Sequence, residues 1–171
     1  GGGATPSAGS PGATSADAID LQAAWLAYLA GGRSFTFRNA SAFNPLFTQS
    51  FTSSVAAVFP FTGSTHRRLR AQADGAALDL YTTPDGAVAG LVDLTSSFAE
   101  NCYTVESASA LPAQAALGAS GHIATLNGHA GCASNAEVMP VQLRLDWALA
   151  ADESVPDVRF FCIRQSAFLR G

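Results

Sequence analysis

Between positions 120 and 132 the chain brings together a hydroxyl, two imidazoles and a thiol: Ser120, His122, His129 and Cys132. Ser120 sits in Gly118-Ala119-Ser120-Gly121-His122. A nucleophile elbow of the G-x-S-x-G type needs one residue between the serine and the second glycine, and here Gly121 follows directly. The segment therefore reads as turn chemistry, and a hydrolase reading is left without a recognisable nucleophile–base pair. His122, His129 and Cys132 are ligand types for zinc, but their spacing fits no zinc-binding pattern. No metal site, cofactor or catalytic residue is expected, and the chain reads as a non-enzyme.

Positive charge concentrates in His66-Arg67-Arg68-Leu69-Arg70. On a strand, His66, Arg68 and Arg70 share one face and could grip a phosphate or carboxylate through paired guanidinium bonds. The competing expectation is a solvated sheet face balanced by carboxylates on neighbouring strands, such as Asp79.

Three cysteines, Cys102, Cys132 and Cys162, lie thirty residues apart, none in a C-x-x-C pair, which argues against a zinc ribbon or thioredoxin-type site. In an oxidising compartment one disulfide would form and one thiol would remain. The Gly-rich segment around Cys132 is free to reach Cys102. Cys162 lies in the apolar run Val158–Ile163 and reads as a free, buried thiol. All three pairings stay open.

The elements that must position these groups follow from periodicity. A helix is expected over 17–30, capped by Ser15 or Asp17 and stopped by Gly31-Gly32, with Leu21, Trp25, Tyr28 and Leu29 on one face. From Arg33 the period becomes two. Phe47, Phe51, Val55, Ala57, Phe59 and Phe61 share a parity, in a run long enough to require a bulge near 49–54. Asp74-Gly75 and Pro84-Asp85-Gly86 mark hairpin turns. An Ala-rich stretch with Pro112 suggests a short helical turn within 107–120, followed by a strand at 122–126. Val141–Leu149 is apolar at every odd position, with Gln142, Arg144 and Asp146 between, which indicates antiparallel sheet with one buried face. It returns through a loop into a terminal strand over 157–168. About eight strands behind one packed helix predict a mainly β fold: an antiparallel meander forming a sandwich or a curled half-barrel, with its β core over 33–168.

Residues 1–16 contain no charge, no aromatic and no aliphatic larger than Ala, so they cannot offset the entropy of ordering. They are expected to be a flexible tether of about 22 Å mean span, ahead of a single domain over 17–171. This Gly/Ser/Pro segment resembles the tether that follows the lipidated cysteine of bacterial cell-envelope lipoproteins. The resemblance implies a signal peptide, a lipid anchor and a place in the periplasm or outer membrane of a Gram-negative bacterium. All nine basic residues are Arg, which a GC-rich genome accounts for, and the net charge of −4 argues against a general nucleic-acid binder. The expected role is binding or structural, toward another envelope protein or surface ligand. A carrier that encloses an apolar ligand in a half-barrel cavity is the second expectation, to be distinguished by a cavity under the helix.

Overall fold

The computed structural model describes residues 18–31, 33–38, 46–73, 76–95, 100–155 and 158–170. The tether over 1–16, the capping positions Ser15 and Asp17, Gly32, the Asp74-Gly75 turn and Asp157 lie outside these residues. The helix is α1 (Leu21–Ala30), shorter than the expected span. It starts where Asp20 can act as N-cap: the Asp20 carboxylate accepts from the Ala23 N–H at 2.9 Å, satisfying a donor the first turn leaves open. It ends at Gly31, whose N–H donates to the Tyr28 carbonyl. Leu21, Trp25 and Leu29 are buried on its inner face.

Nine strands follow among the described residues: β1 (Arg33–Arg38), β2 (Leu46–Val58), β3 (Thr65–Ala73), β4 (Ala76–Thr82), β5 (Val88–Asp93), β6 (Asn101–Ala108), β7 (Ser120–His129), β8 (Val138–Ala151) and β9 (Arg159–Leu169). Each pairs antiparallel with the next, so the sheet order is the chain order. Seven inter-strand steps of about 4.8 Å would put β2 and β9 roughly 34 Å apart in a flat sheet. Yet both reach the same helix. Tyr28 packs on Phe51 of β2 with ring centroids 5.8 Å apart, and Trp25 packs on Phe161 of β9 at 6.1 Å. The sheet is therefore a curled half-barrel wrapped around α1, which decides between the two expected architectures.

Cross-strand register lays the core in rows facing the helix. Leu69, Leu80, Leu91 and Tyr103 oppose one another across β3 to β6, and Leu126 opposes Leu143 across β7 and β8. Leu143, Leu145, Trp147 and Leu149 are buried, as the alternation of β8 requires. The helix is fastened to the sheet by polar bonds as well. Trp25 Nε1–H donates to the Gly86 carbonyl at 2.9 Å, and the Ser53 hydroxyl donates to the Leu29 carbonyl. Gly86, at φ 86°, closes the turn expected at Pro84-Asp85-Gly86.

Two expectations need correction. The bulge in β2 falls between Ser54 and Ala57, where three residues on β2 span two on β3. It reverses the parity: Phe51 faces the helix, whereas Phe59 lies on the outer face against Tyr81 and His66. Residues 109–119 form a loop tied by a bridge between Ile19 and Ala115, not a helical turn. Pro112 and the scattered Ala residues provide no helical register there.

Candidate functional site

The outer face carries a second buried cluster, in which Phe59, Tyr81, Val92 and Cys102 pack together with Phe61 and Cys132 around its rim. The segments over 59–64 and 130–137 fold back to build it. Cys102 and Cys132 are joined in a disulfide with Cα atoms 4.9 Å apart, the pairing favoured from the Gly-rich loop. The bridge holds the 130–137 loop against β6, where His129 is buried with Nε2 2.8 Å from Thr104 Oγ1 and its ring 4.4 Å from Phe61. Gly90 is required underneath: a Cβ there would lie 2.4 Å from the Phe59 ring.

His66, Arg68 and Arg70 do share the outer face, but their environments differ. Asp79, 2% exposed on the neighbouring strand, receives both Arg70 Nε and a terminal nitrogen at 2.6 Å. Its hydrogen bonds raise the Arg70 guanidinium above its ordinary pKa. Arg68 lies 3.9 Å from the same carboxylate and donates to Ser54, while His66 packs edge-on against Phe59. Burial pushes the Tyr81 hydroxyl upward, so it stays neutral among them. The donors that an anion would use on Arg70 are already engaged by Asp79.

Around β7 to β9 the outer face forms an open cleft of about 790 Å³ that includes Ser120, His122, Arg144, Asp146, Cys162 and Arg164. A bulge at Ile123 turns Thr125 onto the face of His122. His122 Nδ1 is 3.1 Å from Asp146 Oδ1, and Nε2 is 3.2 Å from Thr125 Oγ1. A carboxylate can only accept, so Nδ1 carries the proton and Nε2 faces the Thr125 hydroxyl as a base when the ring is neutral. Hydroxyl, imidazole and carboxylate thus stand in line, an arrangement invisible to a search centred on Ser120. Arg144 Nε bonds both oxygens of Asp146, at 3.0 and 2.8 Å, and holds that carboxyl below its usual range. Asp146 Oδ1 is therefore shared between His122 and Arg144. Among the described residues no group of three or more His, Cys, Asp or Glu side chains could hold a metal ion. His122 and His129 serve separate hydrogen-bond networks, and Cys132 is in the disulfide.

Cys162 is a free thiol, but it is exposed rather than buried. Its strand is the last of the sheet, and among the described residues no further strand covers it. Beside it, α1 and β9 border an apolar cleft of about 470 Å³ lined by Ala24, Trp25, Ala27, Tyr28, Phe161 and Ile163. Leu21 and Trp25 of the buried stripe also line it, while Ala24 and Ala27 are exposed, so the cleft opens outward from the contact between helix and sheet. Phe160, Ile163 and Phe168 of β9 are between 41% and 48% exposed and Leu169 is 76% exposed, an unusual load of apolar surface for an edge strand. Among the described residues no helix is long and apolar enough to cross a membrane. No family model, curated protein or solved structure matches the chain.

Proposed function

We propose that the chain is an exported, lipid-anchored domain of a bacterial cell envelope whose work is to bind another envelope protein at the seam between α1 and β9. The observation that carries the reading is the apolar cleft bordered by Phe161 and Ile163 of β9, whose outer edge pairs with no strand among the described residues. An extended segment of a partner can add its backbone to that edge and set alternate side chains into the cleft. Export is supported by the Cys102–Cys132 disulfide, a bond that persists in oxidising compartments, and the anchor by the small-residue tail. The packed interior favours this docking role over a carrier that encloses its ligand.

A benzophenone side chain introduced at Ala27 tests the docking role in intact cells that make the protein. A protein adduct on illumination is expected; lipid adducts alone, or none, would remove the docking role. Fatty-acid labelling of the cellular protein tests the anchor, and an unlabelled mature protein would refute it. A second reading, hydrolysis, is favoured by the line Thr125–His122–Asp146. It requires ester cleavage that disappears in both Thr125→Ala and His122→Gln, and activity unchanged by either would dismiss it.

A further inference from the structure

The backbone bonds of β9 define how a partner could join it. Arg170 N–H donates to the Pro140 carbonyl and Asp152 N–H to the Val158 carbonyl, one pair at each end of the β8–β9 ladder. Directly opposed residues alternate along an antiparallel ladder between those that exchange hydrogen bonds and those that do not. Even-numbered residues of β9 therefore spend their N–H and C=O groups on β8. Odd-numbered ones, including Phe161, Ile163 and Gln165, direct theirs to the open edge.

We infer that the partner at this seam is a second copy of the chain, paired β9 to β9 about a two-fold axis through Cys162, with the two Cys162 thiols positioned to bridge. The inference rests on the docking role proposed for the seam and names its occupant. The parity is self-consistent: Phe161 meets Ile163 of the second copy in hydrogen-bonded pairs, and Cys162 meets its counterpart in a non-hydrogen-bonded pair. Cα atoms in such a pair are about 4.5 Å apart, within the roughly 4.4–6.8 Å that a disulfide spans.

Side chains agree with this register. Arg159 opposes Gln165 and Arg164 opposes Phe160, so no guanidinium faces another. An axis at Arg164 would set two guanidiniums opposite each other. Phe161 and Ile163 border the cleft in each copy, so their pairing joins the two clefts into one apolar surface across the axis. Phe160, 48% exposed, gains an Arg164 guanidinium beside its ring on the outer face.

A single strand pair buries less than the roughly 1,200 Å² of a standard stable interface, so the non-covalent pair dissociates readily. The bridge converts it to a lasting one. Two Cys162 thiols and a donor disulfide of the exporting compartment exchange to give the Cys162–Cys162 bond and a donor dithiol.

The purified chain, incubated with oxidised glutathione, tests this by non-reducing electrophoresis and sedimentation. A reducible dimer through Cys162 is expected. Phe160→Cys and Arg164→Cys, each made in a Cys162→Ser background, should dimerise about tenfold or more slowly, because in this register each would sit about 13 Å from its counterpart. Ile163→Lys in the parent should also slow bridging about tenfold by placing a charge in the shared apolar surface. Equal rates at 160, 162 and 164 would mean random collision and overturn the inference, as would a chain that stays monomeric. The Ala27 cross-link separates the two failures. An adduct with a different protein would retain docking and discard the second copy; no protein adduct would discard both.

Discussion

Replacing Gly90 with alanine tests the parity reversal in β2. A Cβ at Gly90 would lie 2.4 and 2.5 Å from two Phe59 ring carbons, more than 1 Å inside ordinary contact. Phe59 is 1% exposed and held between Tyr81, Phe61 and His66, so its ring has little room to retreat. Overpacking of this kind costs about 1–3 kcal/mol, against about 0.5–1 kcal/mol gained from replacing a strand glycine. A net loss of about 1–2 kcal/mol is expected for Gly90→Ala. Phe59→Leu alone should cost about 1–2 kcal/mol by opening a small cavity. Combined, the changes should cost about 1 kcal/mol or more less than the sum of the single effects, because the shortened side chain vacates the space the new methyl needs. Urea unfolding of the four proteins gives the coupling directly. Additive losses would show that Phe59 does not cover Gly90, and the outer-face cluster would fall with it.

Three further outcomes follow. Reduction of the Cys102–Cys132 bridge, which closes a separation of 30 residues, should lower stability by about 3.5 kcal/mol, checked by urea unfolding with and without reductant. Asp79→Ala should cost about 2 kcal/mol, the range of a charged hydrogen-bonded pair with half-buried arginines, and leave Arg68 and Arg70 without their shared carboxylate. Sulfate should then raise its melting temperature more than it raises that of the parent, and equal shifts would count against the pairing. Asp146 has a folded pKa depressed below its ordinary value near 3.8, so its contribution is present above that value and is lost as pH falls through the folded pKa. Asp146→Asn should accordingly flatten the acid limb of the stability profile below about pH 4, measured by thermal melts across pH, and an unchanged limb would refute the assignment.

Local signals were strong enough to be read wherever one residue's neighbours along the chain determine its fate. The apolar odd positions of Val141–Leu149, set apart by Gln142, Arg144 and Asp146, mark a strand with a buried face because period two admits no other amphipathic arrangement. The stripe through Leu21, Trp25 and Leu29 gave the helix face, and Pro84-Asp85-Gly86 gave a turn because Gly86 alone there adopts positive φ easily. Bulges were the main source of error. One extra residue after Ser54 sent Phe59 to the opposite face from Phe51, and one at Ile123 brought Thr125 beside His122. The length of the β2 run called for a bulge but did not fix its position, and the one at Ile123 leaves no mark in the sequence, since the place of a bulge is set by what the neighbouring strand requires. The exposure of Cys162 was hidden for a related reason. Its flanking residues read as core, and only the order of strands makes β9 an edge.

That edge position also explains how polar and apolar residues are divided around the seam. A long edge strand invites unspecific pairing, and proteins commonly restrain it with charge. β9 carries Arg159 and Arg164, and Arg170 follows its end, with no carboxylate in the strand. Pairing with an arbitrary basic strand is disfavoured, and registers of a second β9 that oppose two arginines are disfavoured equally. The same charges therefore restrict self-pairing to a few alignments instead of preventing it. Among these, the axis at Cys162 combines hydrogen-bond parity, apolar contact between Phe161 and Ile163, and a bridgeable thiol. Arg164→Gln sharpens the point. The change should leave the Cys162 register allowed, with the neutral amide opposite Phe160, while removing the repulsion that excludes the axis at residue 164. Bridging through Cys162 should then become slower as the competing alignment fills, even though the edge has lost a positive charge. If general repulsion between basic strands were the controlling force, bridging would become faster, and the direction of that change separates register selection from simple charge.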